Sequence, residues 1–207
     1  FRNKSEALQT AEEIKTKYSI EPLLLKGNVG EPEKIQELAQ EFFAHFEGID
    51  ILINNAASGV LRSALELTPK HLKWTMEINT YALLFLTQQV VPSMRQRGGG
   101  KIIAISSVGA IQALPYYTAV GTSKGALEAM VRHLSIEFAK DHINVNAVSA
   151  GVVDTHALTH FPNREELLAK AKARTPARRL VQPEDVANSV LFLCSSCGIS
   201  KITTRHF

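Results

Sequence analysis

Short apolar runs alternate with longer helical segments along almost the whole chain, and this alternation is the feature that most constrains the fold. Each run is about five residues long and apolar on both faces, which predicts a buried strand. The four runs are Pro22–Lys26, Asp50–Asn54, Lys101–Ser106 and Asn144–Val148. Strands without an alternating polar face are typical of a parallel sheet that helices cover on both sides.

The segments between these runs have apolar residues at helical spacing. Helices are predicted over Ser5–Lys17, Glu31–Phe46, Thr68–Val91, Tyr117–Lys140, Arg164–Ala173 and Glu184–Cys194. Thr68 and Pro69 are typical of a helix start, and Pro92 is expected to disturb the same helix near Val91. Right-handed crossovers between parallel strands then predict a doubly wound, Rossmann-like α/β fold, as a single domain over residues 1–207.

The composition is that of an ordinary globular domain, with 45% hydrophobic and 21% charged residues in 207. Lys and Arg total 23 against 20 for Asp and Glu, and no basic run marks a nucleic-acid surface. The uncharged stretch over residues 102–123 contains Ser, Gly, Pro and Tyr, so it does not read as a membrane span. No secretory leader pattern opens the chain. We therefore expect a soluble, cytoplasmic protein with no nucleic-acid or membrane partner.

Small and polar residues follow each predicted strand, where ligands bind in open parallel sheets. These segments are Asn28–Val29, Asn54–Gly59, Ser106–Gly109 and Ser149–Gly151. Together they predict a cleft for a large, flat ligand. Two helical stretches, Tyr81–Val91 and Tyr117–Lys140, are apolar on most faces. One side of each can cover the sheet, and the other is expected to contact a partner subunit.

Tyr117 and Lys124 are the residues that most clearly suggest catalysis. Seven residues are nearly two helical turns, so both side chains project from one face, roughly 10 Å apart along the axis. A neighbouring ammonium is expected to lower the pKa of the phenol and make it a better acid. Ser107, after the preceding strand, is placed to converge on the same point.

In their order and spacing, these residues resemble the short-chain dehydrogenase/reductase superfamily from Arg2 to about Ser196. The matching positions are Asn54-Asn-Ala-Ala57, Asn79, Ser107, Tyr117, Lys124, Thr155 and Pro176–Arg178. The usual family spacing, Tyr-x-x-x-Lys, would place the tyrosine where this chain has Val120. The spacing found here resembles the enoyl-acyl-carrier-protein reductases of bacterial fatty-acid synthesis. Residues 54–62, 117–124 and 154–164 are similar to the NADPH-dependent type III enzyme.

The resemblance implies NADPH-dependent reduction of trans-2-enoyl thioesters on acyl carrier protein or CoA. Hydride delivered to C3 develops negative charge on the thioester oxygen. This oxygen is bonded to C1 and therefore lies two bonds further from the hydride-accepting carbon than the oxygen of a ketone does. A shift of three residues moves the phenol by about 4.5 Å along the helix, toward that charge. Tyr117 would be the hydrogen-bond donor. Lys124 would hold the nicotinamide ribose and tune Tyr117, and Ser107 would orient the thioester or the tyrosine.

The same resemblance implies how NADPH would be held. Arg2, assisted by Lys4, would bind the 2′-phosphate, which suits a guanidinium. The remaining contacts would be Asn28 and Val29 at the adenine, Asn54 and Ala56 at the adenosine ribose, and Val153 and Thr155 at the carboxamide. No metal is expected, because His156 with His160, and Cys194 with Cys197, lack further ligands at metal-binding spacing.

Two alternatives stay open. The first is a carbonyl reductase or alcohol dehydrogenase of the same superfamily, similar to 3-oxoacyl-acyl-carrier-protein reductase, which would need a donor near Val120. The second is a non-catalytic binding module. The family's first strand with its glycine-rich turn is expected before Phe1, and its last strand is not matched after Cys197. The chain is therefore expected to lack the first βαβ segment and the last strand. Family members usually form tetramers, so a homotetramer or homodimer is expected.

Overall fold

Three strands pair in parallel in the order β1 (Ile51–Asn54), β2 (Gly100–Ile105) and β3 (Ile143–Val148). They belong to a computed structural model that describes residues 3–153 and 164–195. Asn54 is in register with Ala104, and Ala104 with Ala147, so the carboxyl ends of all three strands lie at one edge. The last strand that the sequence fails to match falls outside the described residues.

The helices follow the predicted order. They are α1 (Lys4–Tyr18), α2 (Pro32–His45), α3 (Pro69–Met76), α4 (Ala82–Gln96), α5 (Thr118–Phe138), α6 (Arg164–Arg174) and α7 (Pro183–Cys194), with a π-helical turn over Glu77–Tyr81. Thr68 caps α3 as predicted, because its hydroxyl accepts the His71 amide and the His71 ring accepts the Thr68 amide. None of the described helices has the length and hydropathy to cross a bilayer.

Both faces of the sheet are covered, and β2 shows how. Ile102 and Ala104 belong to the larger apolar cluster, to which α4 and α5 contribute. Ile103, pointing the other way, packs with Val190 and Leu193 of α7. Alternate residues of one strand therefore serve two apolar layers. The predicted Rossmann-like α/β arrangement around a parallel sheet is confirmed.

The strand predicted over Pro22–Lys26 is wrong. No residue of this run pairs with a strand, and β1 forms the edge of the described sheet. Ile51 and Ile53 of β1 are 42% and 48% exposed at that edge. A strand requires a hydrogen-bonding neighbour, and apolar composition alone does not supply one.

The prediction for Pro92 is also wrong in its extent, because α4 continues through this proline to Gln96. Pro92 has no amide hydrogen to donate to the carbonyl of Gln88, four residues earlier. Both residues are exposed on the outer side of the helix. Water can therefore hydrate the freed carbonyl, and the helix continues.

A pair of glycines brings the chain from α4 into β2. Gly98 and Gly99 have positive φ angles of 81° and 145°. A Cβ on Gly99 would lie 2.7 Å from the carbonyl oxygen of His142, whereas a Cβ on Gly98 would meet nothing within 4 Å. The same His142 carbonyl accepts the Gly100 amide at 3.3 Å. The close approach at Gly99 therefore supports the start of the β2–β3 pairing.

We expect Gly99→Ala to lower the free energy of unfolding by about 2–4 kcal/mol, since it combines backbone strain with a clash against main chain. Gly98→Ala is the matched control and should cost only about 1 kcal/mol, because strain acts there without a clash. Urea denaturation of the purified protein measures both. Equal losses for the two variants would contradict the role assigned to the His142 contact.

Candidate active site

Ser107, Tyr117 and Lys124 come together at the carboxyl end of β2. Ser107 lies two residues beyond the strand, and Tyr117 is the N-cap residue of α5. The Ser107 Oγ and Tyr117 Oη atoms are 3.1 Å apart, within hydrogen-bond distance. The Lys124 Nζ donates to the carbonyl oxygen of Ile105, the last residue of β2, at 2.7 Å. One strand end therefore holds two hydroxyls and an ammonium.

A tight turn introduces Tyr117 at the start of α5. The Tyr117 amide donates to the Leu114 carbonyl at 3.3 Å, and Tyr116 between them has φ 61°. A proline at the second position and a left-handed third residue are typical of a type II turn, whose third position usually carries glycine. The Tyr116 carbonyl accepts the Arg62 amide at 3.2 Å. The loop after β1 is thereby tied to the start of α5.

Burial determines how the two ionisable groups of the site titrate. It raises the pKa of Tyr117 above its usual value of 10.0, an effect that the Ser107 hydrogen bond partly offsets. It lowers the pKa of Lys124 from 10.5 to about 8. The sequence predicted a lowered pKa for Tyr117, and the structure gives the opposite direction, because desolvation disfavours the phenolate. At neutral pH the phenol is therefore protonated and can donate a hydrogen bond.

Val120, at the position where the family usually carries its tyrosine, contacts the loop after β1. A Cβ on Gly59, in the loop after β1, would lie 2.4 Å from the Val120 Cγ2 and 3.5 Å from the Thr75 Cγ2. The Val120 side chain therefore packs directly against the Gly59 backbone.

Asn79 is a buried residue of the site region that the sequence matched to the family without assigning it a role. Its Oδ1 accepts the Ser58 amide at 2.8 Å, and its Nδ2 donates to the Ser123 Oγ at 2.9 Å. The neighbouring Thr80 hydroxyl donates to the Ser123 carbonyl at 2.8 Å. Both lie in the π-helical turn, a distortion frequent at functional sites. The sequence signal that could have found them is that Asn79 and Thr80 are two adjacent polar residues inside an apolar helical stretch.

The predicted cofactor residues lie in several places. Asn54 is 3% exposed at the end of β1, and its Oδ1 has no hydrogen-bond partner among the described residues. Ala56 is exposed in the following loop, and Lys4 is exposed in the first turn of α1. Val153 forms a parallel bridge with Val181. Arg2 and Thr155 lie outside the described residues.

Asn28 forms hydrogen bonds within its own turn. Its Oδ1 accepts the Gly30 amide at 3.1 Å, and its Nδ2 donates to Glu31 at 2.7 Å. Val29 is partly buried beside it. A Cβ on Gly30 would lie 2.9 Å from the Ile78 Cγ1, so this turn approaches the π-helical turn. The turn at residues 28–30 and the loop after β1 therefore meet the same helical segment.

Among the residues that the structure describes, no three His, Cys, Asp or Glu side chains cluster as a metal site would require. Cys194, at the end of α7, is a free thiol whose pKa burial raises, so it is not an activated nucleophile. Cys197, His156 and His160 are not among the described residues.

Comparison with known proteins adds to this geometry. A family model described as enoyl-(acyl carrier protein) reductase matches residues 1–205. The chain is 33% identical over 171 residues to 1-cyclohexenylcarbonyl-CoA reductase of Streptomyces collinus, covering 82% of this chain and 60% of that protein. It is 34% identical over 191 residues to the 3-oxoacyl-[acyl-carrier-protein] reductase of Aquifex aeolicus, covering 91% and 75%.

A solved structure of similar fold is the L-sorbose reductase of Gluconobacter frateurii, which contains NADPH and L-sorbose. The TM-score is 0.86 at 30% identity, covering 94% of this chain and 78% of that one. The chain spans about three fifths of the length of the first curated relatives that it matches.

The lowered pKa of Lys124 predicts a pH dependence of stability. Above pH 8 the buried ammonium loses its proton, while in the unfolded chain it keeps the proton until about pH 10.5. The unfolded state then binds more protons, so stability should rise with pH, by about 2 kcal/mol from pH 8 to pH 10 relative to Lys124→Met. Urea denaturation at each pH measures this difference. Parallel pH profiles for the two proteins would contradict it.

Proposed function

This chain belongs to the short-chain dehydrogenase/reductase superfamily, and on that premise we propose that it reduces trans-2-enoyl thioesters with NADPH. The substrate would be carried on acyl carrier protein or CoA, and the pathway would be fatty-acid synthesis in the cytoplasm. One observation carries the proposal. The phenol paired with Ser107 belongs to Tyr117, one helical turn before position 120, where Val120 packs on Gly59.

The proposed role of Tyr117 follows from where charge develops in the reaction. NADPH would supply the hydride to C3, and negative charge would then develop on the thioester oxygen. The protonated Tyr117 hydroxyl donates a hydrogen bond to that oxygen, which stabilises the enolate in a site of low polarity. Ser107 holds the phenol at its Oη atom. Lys124 adds a positive charge at the same strand end and remains largely charged at pH 7.

The residues present fit a nicotinamide dinucleotide. Asn54 offers a buried carboxamide oxygen that lacks a donor among the described residues, and a ribose hydroxyl would be such a donor. Lys124 would bind the nicotinamide ribose. The remaining proposed contacts are Arg2 and Lys4 at the 2′-phosphate, Asn28 and Val29 at the adenine, Ala56 at the adenosine ribose, and Val153 and Thr155 at the carboxamide. The similar L-sorbose reductase was solved with NADPH, which supports this choice.

Two of the comparisons support an enoyl thioester as substrate. The matching family model is described as an enoyl-(acyl carrier protein) reductase. The Streptomyces relative is named for a CoA thioester whose ring double bond is conjugated with the carbonyl. Both names describe reduction next to a thioester.

Carbonyl reduction is the second candidate. The Aquifex relative is named as a reductase of 3-oxoacyl thioesters, and the similar solved structure is that of a sugar reductase. A serine hydroxyl beside a phenol also suits a ketone oxygen. What disfavours this candidate is that Val120 offers no hydrogen-bond donor at the position where the usual tyrosine would stand.

We also propose that the chain forms a homodimer or homotetramer. Ile136 on α5 is 71% exposed, and Tyr81, directly before α4, is 43% exposed. They belong to the two helical stretches, Tyr81–Val91 and Tyr117–Lys140, that have more apolar residues than are required to cover the sheet. A second copy of the chain would cover such surfaces.

Tyr117→Phe is expected to lower turnover of a crotonyl thioester by roughly 10²- to 10⁴-fold, since it removes the proposed donor and leaves the ring. NADPH oxidation is followed by absorbance, on this chain and on a protein extended to the length of its relatives. Tyr18→Phe, at the exposed end of α1, is the control and should leave the rate unchanged. Turnover of acetoacetyl but not crotonyl thioesters would replace the proposal with carbonyl reduction.

Arg2→Gln is expected to lower the preference for NADPH over NADH by roughly 10- to 100-fold, because it would remove the proposed charged hydrogen bond to the 2′-phosphate. The measurement is the ratio of kcat/KM for the two dinucleotides. Lys17→Gln removes the same charge from the far end of α1 and should leave the ratio unchanged. An unaltered ratio in Arg2→Gln would remove Arg2 from the proposed site.

A further inference from the structure

We infer that Gly109 and Gly121 are positioning residues that hold the Tyr117 ring in its place. This inference rests on the proposed function, in which the Tyr117 hydroxyl meets the developing charge. Gly109 lies in the turn after β2, and Gly121 lies in the first turn of α5. Neither glycine was singled out by sequence, because the contact between them exists only in the fold.

The Gly109 backbone lies against the Tyr117 ring at its Cδ1 and Cε1 atoms, and there is no room for a side chain at position 109. A Cβ at this position would be 2.3 Å from the Tyr117 Cε1 and 2.6 Å from its Cδ1. Real Cβ atoms essentially never approach so closely. Because Ser107, which pairs with the phenol, is two residues earlier in the same turn, displacing the ring from Gly109 would also disturb the hydroxyl pair.

Gly121 borders the same part of the Tyr117 ring and the Gly109 backbone. A Cβ there would lie 2.9 Å from the Gly109 carbonyl oxygen and 3.4 Å from the Tyr117 Cδ1. Its amide donates to the Tyr117 carbonyl at 2.6 Å. The absence of a side chain at Gly121 therefore lets the turn containing Gly109 close onto α5 over the tyrosine.

The lack of space for a Cβ atom, and not the backbone conformation, explains why positions 109 and 121 carry glycine. The positive-φ glycines among the described residues are Gly98 and Gly99, so Gly109 and Gly121 have backbones that other residues can adopt. A glycine inside a helix is less favourable than alanine, so its presence at position 121 of α5 needs a structural reason. Gly125, one turn further along α5, shows the contrast, because its Cβ would make only an ordinary contact of 3.5 Å with the Ala110 carbonyl.

The contact has a direct consequence for catalysis. The phenol is held at two points, by the glycines along the ring and by Ser107 at the hydroxyl. A methyl group at Gly109 would displace the ring and, with it, the hydroxyl that pairs with Ser107. A displacement of about 1 Å at a reacting group can reduce turnover by roughly 100-fold. The glycines therefore tune where the hydrogen bond is offered.

The test is a double-mutant cycle on the purified protein with a crotonyl thioester and NADPH. Gly109→Ala and Gly121→Ala should each lower kcat by roughly 10- to 100-fold when Tyr117 is present, with little change in KM for NADPH. In the Tyr117→Phe background the same substitutions should change the residual rate less than about threefold. Gly125→Ala is the matched control and should leave kcat unchanged. Equal losses in both backgrounds would overturn the inference, since they would indicate general damage.

A second readout needs no substrate. With ¹³C-labelled tyrosine, NMR titration should show a higher pKa for Tyr117 in Gly109→Ala, because the lost Ser107 hydrogen bond had lowered it. Gly125→Ala should titrate like the wild type. A shifted Tyr117 in a protein that ignores enoyl thioesters would retain the inference and reject the proposed function. An unshifted Tyr117 with unchanged kcat would overturn the inference. Gly121→Ala gives the same test if Gly109→Ala does not fold.

Discussion

The packing of α5 across β2 and β3 is the interaction on which the rest of the candidate site depends. Leu127, Val131 and Leu134 of this helix are buried in the cluster that also contains Ile102 and Val145. Each such side chain contributes about 1.5–3 kcal/mol through burial. This apolar contact fixes the height of the helix over the sheet. It thereby brings the N-terminal turns of α5 to the strand ends, where Lys124 reaches the Ile105 carbonyl.

Periodicity and capping predicted most of the fold because they are local properties. The Thr68 cap, the order of the helices and the three paired strands could all be read from short windows of sequence. The run at Pro22–Lys26 has the same composition as a buried strand and is not one, because pairing depends on a distant neighbour. Pro92 likewise ends a helix only where the freed carbonyl cannot reach water.

The sequence predicted which residues form the candidate site. It did not predict the pKa of Tyr117 or the glycines that pack against its ring. Spacing placed Ser107, Tyr117 and Lys124 together, and the structure brings all three to one strand end. The direction of the Tyr117 pKa could not be read from spacing, since it depends on how deeply the phenol is buried. Gly109 and Gly121 are twelve residues apart, and only the folded backbone shows that both border one ring.

The outer edge of β1 has a consequence for the behaviour of this polypeptide in concentrated solution. Ile51 and Ile53 are half exposed along a strand of four residues that carries no lysine, proline or bulge. Natural sheets guard open edges with those features, because unpaired amides and carbonyls recruit strands from other molecules. Among the described residues β1 is an open edge, and its four residues offer only a few such groups, so only a short strand from another molecule could pair there, increasingly so as concentration rises. Any strand that bonds to β1 would act as a solubility device as well as part of the sheet.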